Sequence, residues 1–198
     1  MVRASGFVDG VRRIGTIVLF GVLPVAALVT MLAVGISDDS LSADFHHEIY
    51  PQATQMLDGL DPYPPADWDP TAGANFIWPP LVGYLAAPLT LLPAGAADVV
   101  MLLLGLVCMA AALWLVGARD WRVYGVLGLW PEVVGEMRVS HLTPVVALLV
   151  AAAWRYRDAR GVPGPLVGLA VALKFFVWPV GLWLAATRRA RDAVLAAL

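Results

Sequence analysis

The chain has 198 residues, of which 60% are hydrophobic and 14% are charged, and its mean hydropathy is +0.77. A water-soluble domain could not cover this much apolar surface with polar side chains, so the composition predicts an integral membrane protein. The net charge of -2 is close to neutral, but acidic and basic residues are segregated along the chain. The one cysteine, Cys108, excludes a disulfide framework and a thiolate metal site.

Arginine clusters predict the topology. Lysine and arginine concentrate in cytoplasmic loops, so we place every cluster in the cytoplasm. The chain must then cross the membrane twice between consecutive clusters, which gives about six helical spans with a cytoplasmic N terminus. The clusters are Arg3, Arg12 and Arg13; Arg119 and Arg122; Arg155, Arg157 and Arg160; and Arg188, Arg189 and Arg191.

The apolar runs between the clusters give the positions of these spans. The first two are long enough to cross a bilayer as helices, whereas the others are short and need shelter from neighbouring helices. The six predicted spans cover residues 14–36, 99–118, 123–134, 142–154, 165–173 and 175–186. We interpret the first as a retained anchor, because it has no signal-peptide cleavage pattern. Residues 192–198 resemble the start of a seventh span, so we expect 1–198 to be a single transmembrane domain from the N-terminal part of a longer enzyme.

An outer loop, residues 37–98, joins the first two spans. Its first half is rich in Asp, Trp and Pro and contains no lysine or arginine. Phe45, Ile49 and Ala53 recur at helical spacing, and Gly59 follows as a stop signal, so this segment is predicted to be helical rather than disordered. Residues 79–93 are too short for a span and predict an interfacial or re-entrant helix. We interpret the loop as the wall of a reaction site.

Acidic and histidine residues at the start of this loop are candidates for chemistry. Asp44 could accept a proton from an acceptor hydroxyl as a general base, or could cap the N terminus of a helix. The neighbouring residues are His46, His47 and Glu48. Adjacent histidines point about 100° apart on a helix, so they do not easily share one ion, although Asp44 and Glu48 with one histidine could hold a divalent metal. The alternative is that these histidines are simply solvated, and we predict no metal site.

Two basic residues fall outside the cytoplasmic clusters. Lys174 follows an apolar run, and an ionisable residue there is a functional candidate whose natural partner is an anionic lipid phosphate. Arg138 lies in a polar turn with Glu136 and His141, where it could bind phosphate or pair with Glu136. Either cation could instead extend to the membrane interface.

Aromatic residues of the loop supply flat apolar faces with polar tips. Tyr50, Tyr63 and Trp78 are the ones we place along the substrate path. Such residues anchor proteins at membrane interfaces and also stack against sugar rings, and both roles remain open.

The order of several motifs resembles family 87 glycosyltransferases, which are polyprenyl-phosphate-mannose-dependent mannosyltransferases of the GT-C class. The motifs are Asp44 after the first span, Tyr50, Asp61-Pro-Tyr63, Phe76-Ile-Trp-Pro-Pro-Leu81, and the glycine-rich run Gly168 to Lys174. The chain departs from the family at Ser140-His-Leu-Thr143, where a Gly-Gln-x-Asn signature is common, and Lys174 is followed by Phe rather than Pro.

The resemblance implies an all-α, GT-C-like bundle in the plasma membrane that performs inverting transfer of a mannose-type sugar. It implies that Asp44 is the catalytic base and that Lys174 lies near the donor phosphate, which Arg138 could also bind from its place in the polar turn. The partners would be a polyprenyl-phosphate sugar and a glycolipid or glycan acceptor, with no nucleic acid and no cofactor, although a divalent metal stays open. The remaining candidates would line the substrate: His46, His47, Glu48, Tyr50, Tyr63, Trp78 and His141. The alternatives are a transporter or flippase-like protein and a non-catalytic lipid-binding protein.

Overall fold

The computed structural model describes residues 2–38, 40–65, 67–69, 77–187 and 189–197, with the backbone alone for 2–7, 137 and 190. Within these residues the chain is all-helical, as predicted. The α-helices are α1 (Val2–Ile17), α2 (Leu23–Ser37), α3 (Tyr50–Leu57), α4 (Pro80–Ala86), α5 (Ala94–Leu115), α6 (Trp121–Leu129), α7 (Pro131–Val139), α8 (Thr143–Arg155), α9 (Pro163–Leu173), α10 (Trp178–Ala186) and α11 (Ala190–Ala197). Short π-helices cover Val18–Val22 and Phe45–Ile49, and 3-10 helices cover Ala87–Leu91 and Phe175–Val177.

Two helical segments of the described chain are long and apolar enough to cross a bilayer, Val8–Ser37 and Ala94–Leu115. They correspond to the first two predicted spans, although α5 begins five residues before the predicted position and so includes Asp98. The segment 123–134 is not one helix, because the extended backbone of Trp130 and the following Pro131 separate α6 from α7. The other short segments are helical at the predicted positions, and the count of six spans stays a prediction.

The first long helix contains a π-turn where α6 packs against it. Pro24 has no N–H to donate to the Phe20 carbonyl four residues earlier, and the helix takes π geometry over Val18–Val22 at this point. The freed Phe20 carbonyl lies directly against Gly125 of α6, and the Phe20 ring meets Trp121 edge-on. Glycine at position 125 is therefore what lets the two backbones approach.

Replacing Gly125 with Ala is expected to destabilise the protein by about 1–3 kcal/mol, because the added methyl group would overlap the Phe20 carbonyl. Thermal unfolding in detergent measures the effect. Gly135→Ala in α7 is the matched control, since nothing lies within 4 Å of its added carbon. That variant should be neutral or slightly stabilising. Equal melting temperatures for the two variants would contradict the close contact.

The largest core lies beneath the outer loop. The buried side chains Phe45, Ile49 and Ala53 of the loop, which the sequence pattern placed on one face, pack into it. Ala97 of α5 and Leu173 of α9 meet them there. The loop is thus a packed part of the helical bundle, and its helices are fixed against the ends of α5, α8 and α9.

The polar cluster and the arginines occupy opposite ends of the helices. The helix α5 is about 33 Å long, at 1.5 Å per residue over 22 residues. Asp98 lies near its first turn, and Arg119 follows its other end. In α8, Thr143 begins the helix and Arg155 ends it. At the arginine end, Arg189 donates to Asp158 at 2.8 Å. The charge separation predicted from the sequence is therefore present in the described helices.

Candidate functional site

Trp78 lies at the centre of the polar cluster and is 9% exposed. Its indole Nε1 donates to Glu48 Oε2 at 3.0 Å, and its carbonyl accepts a hydrogen bond from the Tyr63 hydroxyl at 2.8 Å. The ring meets the His141 imidazole edge-on with centroids 5.6 Å apart. Lys174 Nζ lies 5.3 Å from the ring centroid, within cation–π range. One indole thus joins the outer loop, the turn before α8 and the end of α9.

Asp44 and His141 are in direct contact, although they are far apart in the sequence. Asp44 Oδ2 faces His141 Nε2 in a short hydrogen bond. The other ring nitrogen, Nδ1, lies 3.4 Å from the carboxylate of Glu136. The N-cap alternative for Asp44 is wrong, because the side chain makes no capping hydrogen bond at the following π-helix. The carboxylate is therefore part of the side-chain cluster.

Lys174 is held at the same place by the end of α9. The helix stops at Leu173, and Lys174 adopts an extended backbone that directs its side chain to Thr143, whose Oγ1 accepts from Nζ at 2.7 Å. Burial lowers the pKa of Lys174, and the nearby carboxylates of Glu136 and Asp44 oppose that shift. The structure therefore brings together the predicted base and the predicted phosphate-binding cation.

Glu48 adds a further acid to the cluster. Burial raises the pKa of Glu48, the Trp78 hydrogen bond opposes this shift, and the charge of Asp44 adds to it. His141 and His47 both lie close enough to stabilise the ionised form. Glu48 is thus a partly buried carboxyl group beside Asp44.

A second, buried network fixes the segment that carries Asp44. On one side, Ser42 donates to the Asp98 carbonyl at 3.1 Å and its hydroxyl lies 2.7 Å from that of Ser140. On the other side, His46 Nδ1 lies 2.7 Å from Asp98 Oδ2, and Asp98 is 4% exposed. Asp44 is therefore anchored from both directions along the chain.

The other predicted site residues lie at varying distances from this centre. His46 is engaged with Asp98 instead of facing Asp44, and its ring packs edge-on against His47 at 4.9 Å. Tyr50 donates to the Leu92 carbonyl at 2.8 Å, which ties α3 to the following helical segment. Arg138 reaches the Ser40 hydroxyl at 3.5 Å. No pairing of Arg138 with an acid occurs in the described residues.

Metal binding gains no support from the described part of the chain, where no group of three or more His, Cys, Asp or Glu is placed to hold an ion. Asp44 instead faces His141, and Glu48 faces Trp78.

Phe76 and Arg188, which entered the sequence arguments, lie outside the described residues.

Three residues of the site were not among the predicted ones. Glu136 supports His141, Thr143 supports Lys174, and Asp98 supports the loop. Asp98 carried a signal, since it is an isolated carboxylate at the start of an apolar helix. Thr143 carried no such signal in the sequence, because its bond to Lys174 depends on which helix ends pack together.

These features define a helical membrane protein with an acid, imidazole and lysine cluster at one end of its bundle. The model of glycosyltransferase family 87 matches residues 76–198, which is more than half of the chain, and the protein belongs to that family. No curated protein and no solved structure matches the chain. The matched region contains Trp78, His141 and Lys174, whereas Asp44 precedes it. The protein is therefore a membrane protein of a glycosyltransferase family, with a sugar donor and an acceptor as its substrates.

Proposed function

We propose that the protein transfers a mannose-type sugar from a polyprenyl-phosphate donor to a hydroxyl group of a lipid or glycan acceptor on the extracytoplasmic side of the plasma membrane. The observation that carries this proposal is the meeting of Asp44 and Lys174 around Trp78, at the helix ends opposite the arginines. A base and a cation close together in a partly buried cluster are the groups that such a displacement needs.

In the proposed reaction, the acceptor oxygen attacks the anomeric carbon while its proton passes to Asp44. A carbon–oxygen bond forms, and the bond between the anomeric carbon and the phosphate oxygen breaks. The phosphate leaves with the bonding electron pair beside the Lys174 ammonium, which stabilises the developing charge. Because this is a single displacement, the anomeric configuration inverts.

The distribution of arginines supports the proposed position of the chain in the membrane. A multi-pass topology with the N terminus in the cytoplasm puts the arginine end inside and the Asp44 end outside. The lipid donor would reach the cluster from the bilayer, and its phosphate would meet Lys174, with Arg138 nearby on α7. Tyr63, which is exposed, would then offer a face for the sugar.

Transfer from radiolabelled polyprenyl-phosphate mannose in membranes containing the protein tests the proposal. We expect the label to appear in a glycolipid or glycan and free polyprenyl phosphate to be released. Donors carrying glucose or arabinose, assayed in parallel, show which sugar is moved. Label that crosses the bilayer while still bound to its phosphate would indicate a transporter and would overturn the proposal. Transfer only from nucleotide sugars would overturn the choice of donor.

A further inference from the structure

His141 lies between two carboxylates that come from different parts of the fold. Its Nε2 faces Asp44 at the start of the loop helix, and its Nδ1 faces Glu136 on α7. All three side chains are partly buried, at 24%, 28% and 32% exposure for His141, Asp44 and Glu136. The imidazole is thus in contact with an acid at each ring nitrogen.

These two contacts hold the imidazole at both ring nitrogens. A ring N–H donates and a carboxylate oxygen accepts, so each acid can orient the nitrogen that it faces. The contact that fixes Nδ1 therefore also presents Nε2 to Asp44.

The orientation of the ring is fixed by the backbone as well as by Glu136. Ser140 ends α7 in the left-handed conformation, with φ of 54°, and its hydroxyl is bonded to Ser42. This turn points the next residue, His141, at the segment that carries Asp44. The Trp78 ring meets the imidazole edge-on and limits its rotation.

We propose that His141 is a positioning residue for Asp44: oriented by Glu136 through Nδ1, it holds one oxygen of the Asp44 carboxylate through Nε2 and leaves the other oxygen for the acceptor hydroxyl. This inference rests on the proposed function, in which Asp44 is the base. His141 itself does not touch the reacting atoms. Its effect is to fix the direction in which Asp44 accepts the proton.

Lys174 is the cation of the cluster and lies near the same acids. Because Lys174 acts on donor binding and so on KM, the effect of His141 is measured as kcat at saturating donor.

Substitutions at position 141 test whether His141 acts through its hydrogen bond or only fills space. His141→Leu should lower kcat by about a hundredfold, the lower end of what a misplaced general base costs, with little change in donor KM. His141→Gln places an amide N–H near the position of Nε2 and should recover most of that loss.

Glu136→Gln tests the outer contact. The amide keeps the shape of the side chain but removes the charge that faces Nδ1, so the ring is held less firmly and kcat at saturating donor should fall. Glu132→Gln, one turn earlier on the exposed side of α7, is the matched control and should keep the original kcat.

The outcomes distinguish this inference from the proposed function. Full activity of Asp44→Asn would overturn both. An inactive Asp44→Asn together with a nearly unchanged His141→Leu would overturn the positioning role alone. So would a His141→Gln variant that binds donor but is as impaired as His141→Leu. If His141→Leu fails to fold, the kcat of Glu136→Gln decides the question, and an unchanged kcat in that variant would reject the inference.

Discussion

Replacing Asp44 with Asn is expected to lower kcat for sugar transfer by about a hundred- to ten-thousandfold, the range over which general bases contribute. The amide keeps the shape of the side chain but cannot accept the proton of the acceptor hydroxyl. Donor binding should persist, because Lys174 and its Thr143 partner are untouched. Initial rates of transfer at saturating donor, together with donor binding to the purified protein, measure the two effects separately.

Asp58→Asn is the control for this experiment. Asp58 belongs to the same acidic loop, but it is exposed and follows the last residue of α3. Its replacement should leave transfer unchanged. If Asp44→Asn retains full transfer while binding donor, Asp44 is not the base. If it loses both transfer and donor binding while remaining folded, its role is in binding instead.

Replacing Lys174 with Met is expected to raise the donor KM by about ten- to a hundredfold, because a hydrogen bond to a charged group contributes about 1.5–3 kcal/mol. Methionine keeps most of the length and the apolar part of the side chain but removes the charge. Lys174→Arg keeps the charge and should retain part of the affinity. Arg160→Gln, at the opposite end of the helices, is the control and should bind donor normally.

The same lysine predicts a pH dependence of donor binding. Burial lowers the pKa of Lys174, so the ammonium loses its proton at a lower pH than an exposed lysine does. The charged form is the one that binds phosphate. Donor affinity should therefore weaken as pH rises into the alkaline range, and earlier than for an ordinary lysine. An affinity that is flat with pH in the unsubstituted protein, or equally pH-dependent in Lys174→Met, would contradict this role.

The sequence predicted the elements that are set by local chemistry. The apolar runs predicted the two long helices. In an apolar environment the backbone N–H and C=O groups must bond to one another, and a helix does this within a single segment. The spacing of Phe45, Ile49 and Ala53 determined the buried face of the loop helix, since these side chains repeat at the helical period. The sequence did not show that Pro131 would divide 123–134 into two helices.

Only the tertiary structure decided which polar groups share a site. The charge pattern put Asp44 and Lys174 at the same end of the bundle, but their convergence on Trp78 depends on how α8 and α9 pack against the loop. His141 faces Asp44 because Ser140 turns the chain at the end of α7. Neither composition nor residue spacing predicts this backbone conformation. Helix formation depends on neighbours in sequence, whereas a reaction site depends on contacts between segments that are distant in sequence, and these are fixed by packing.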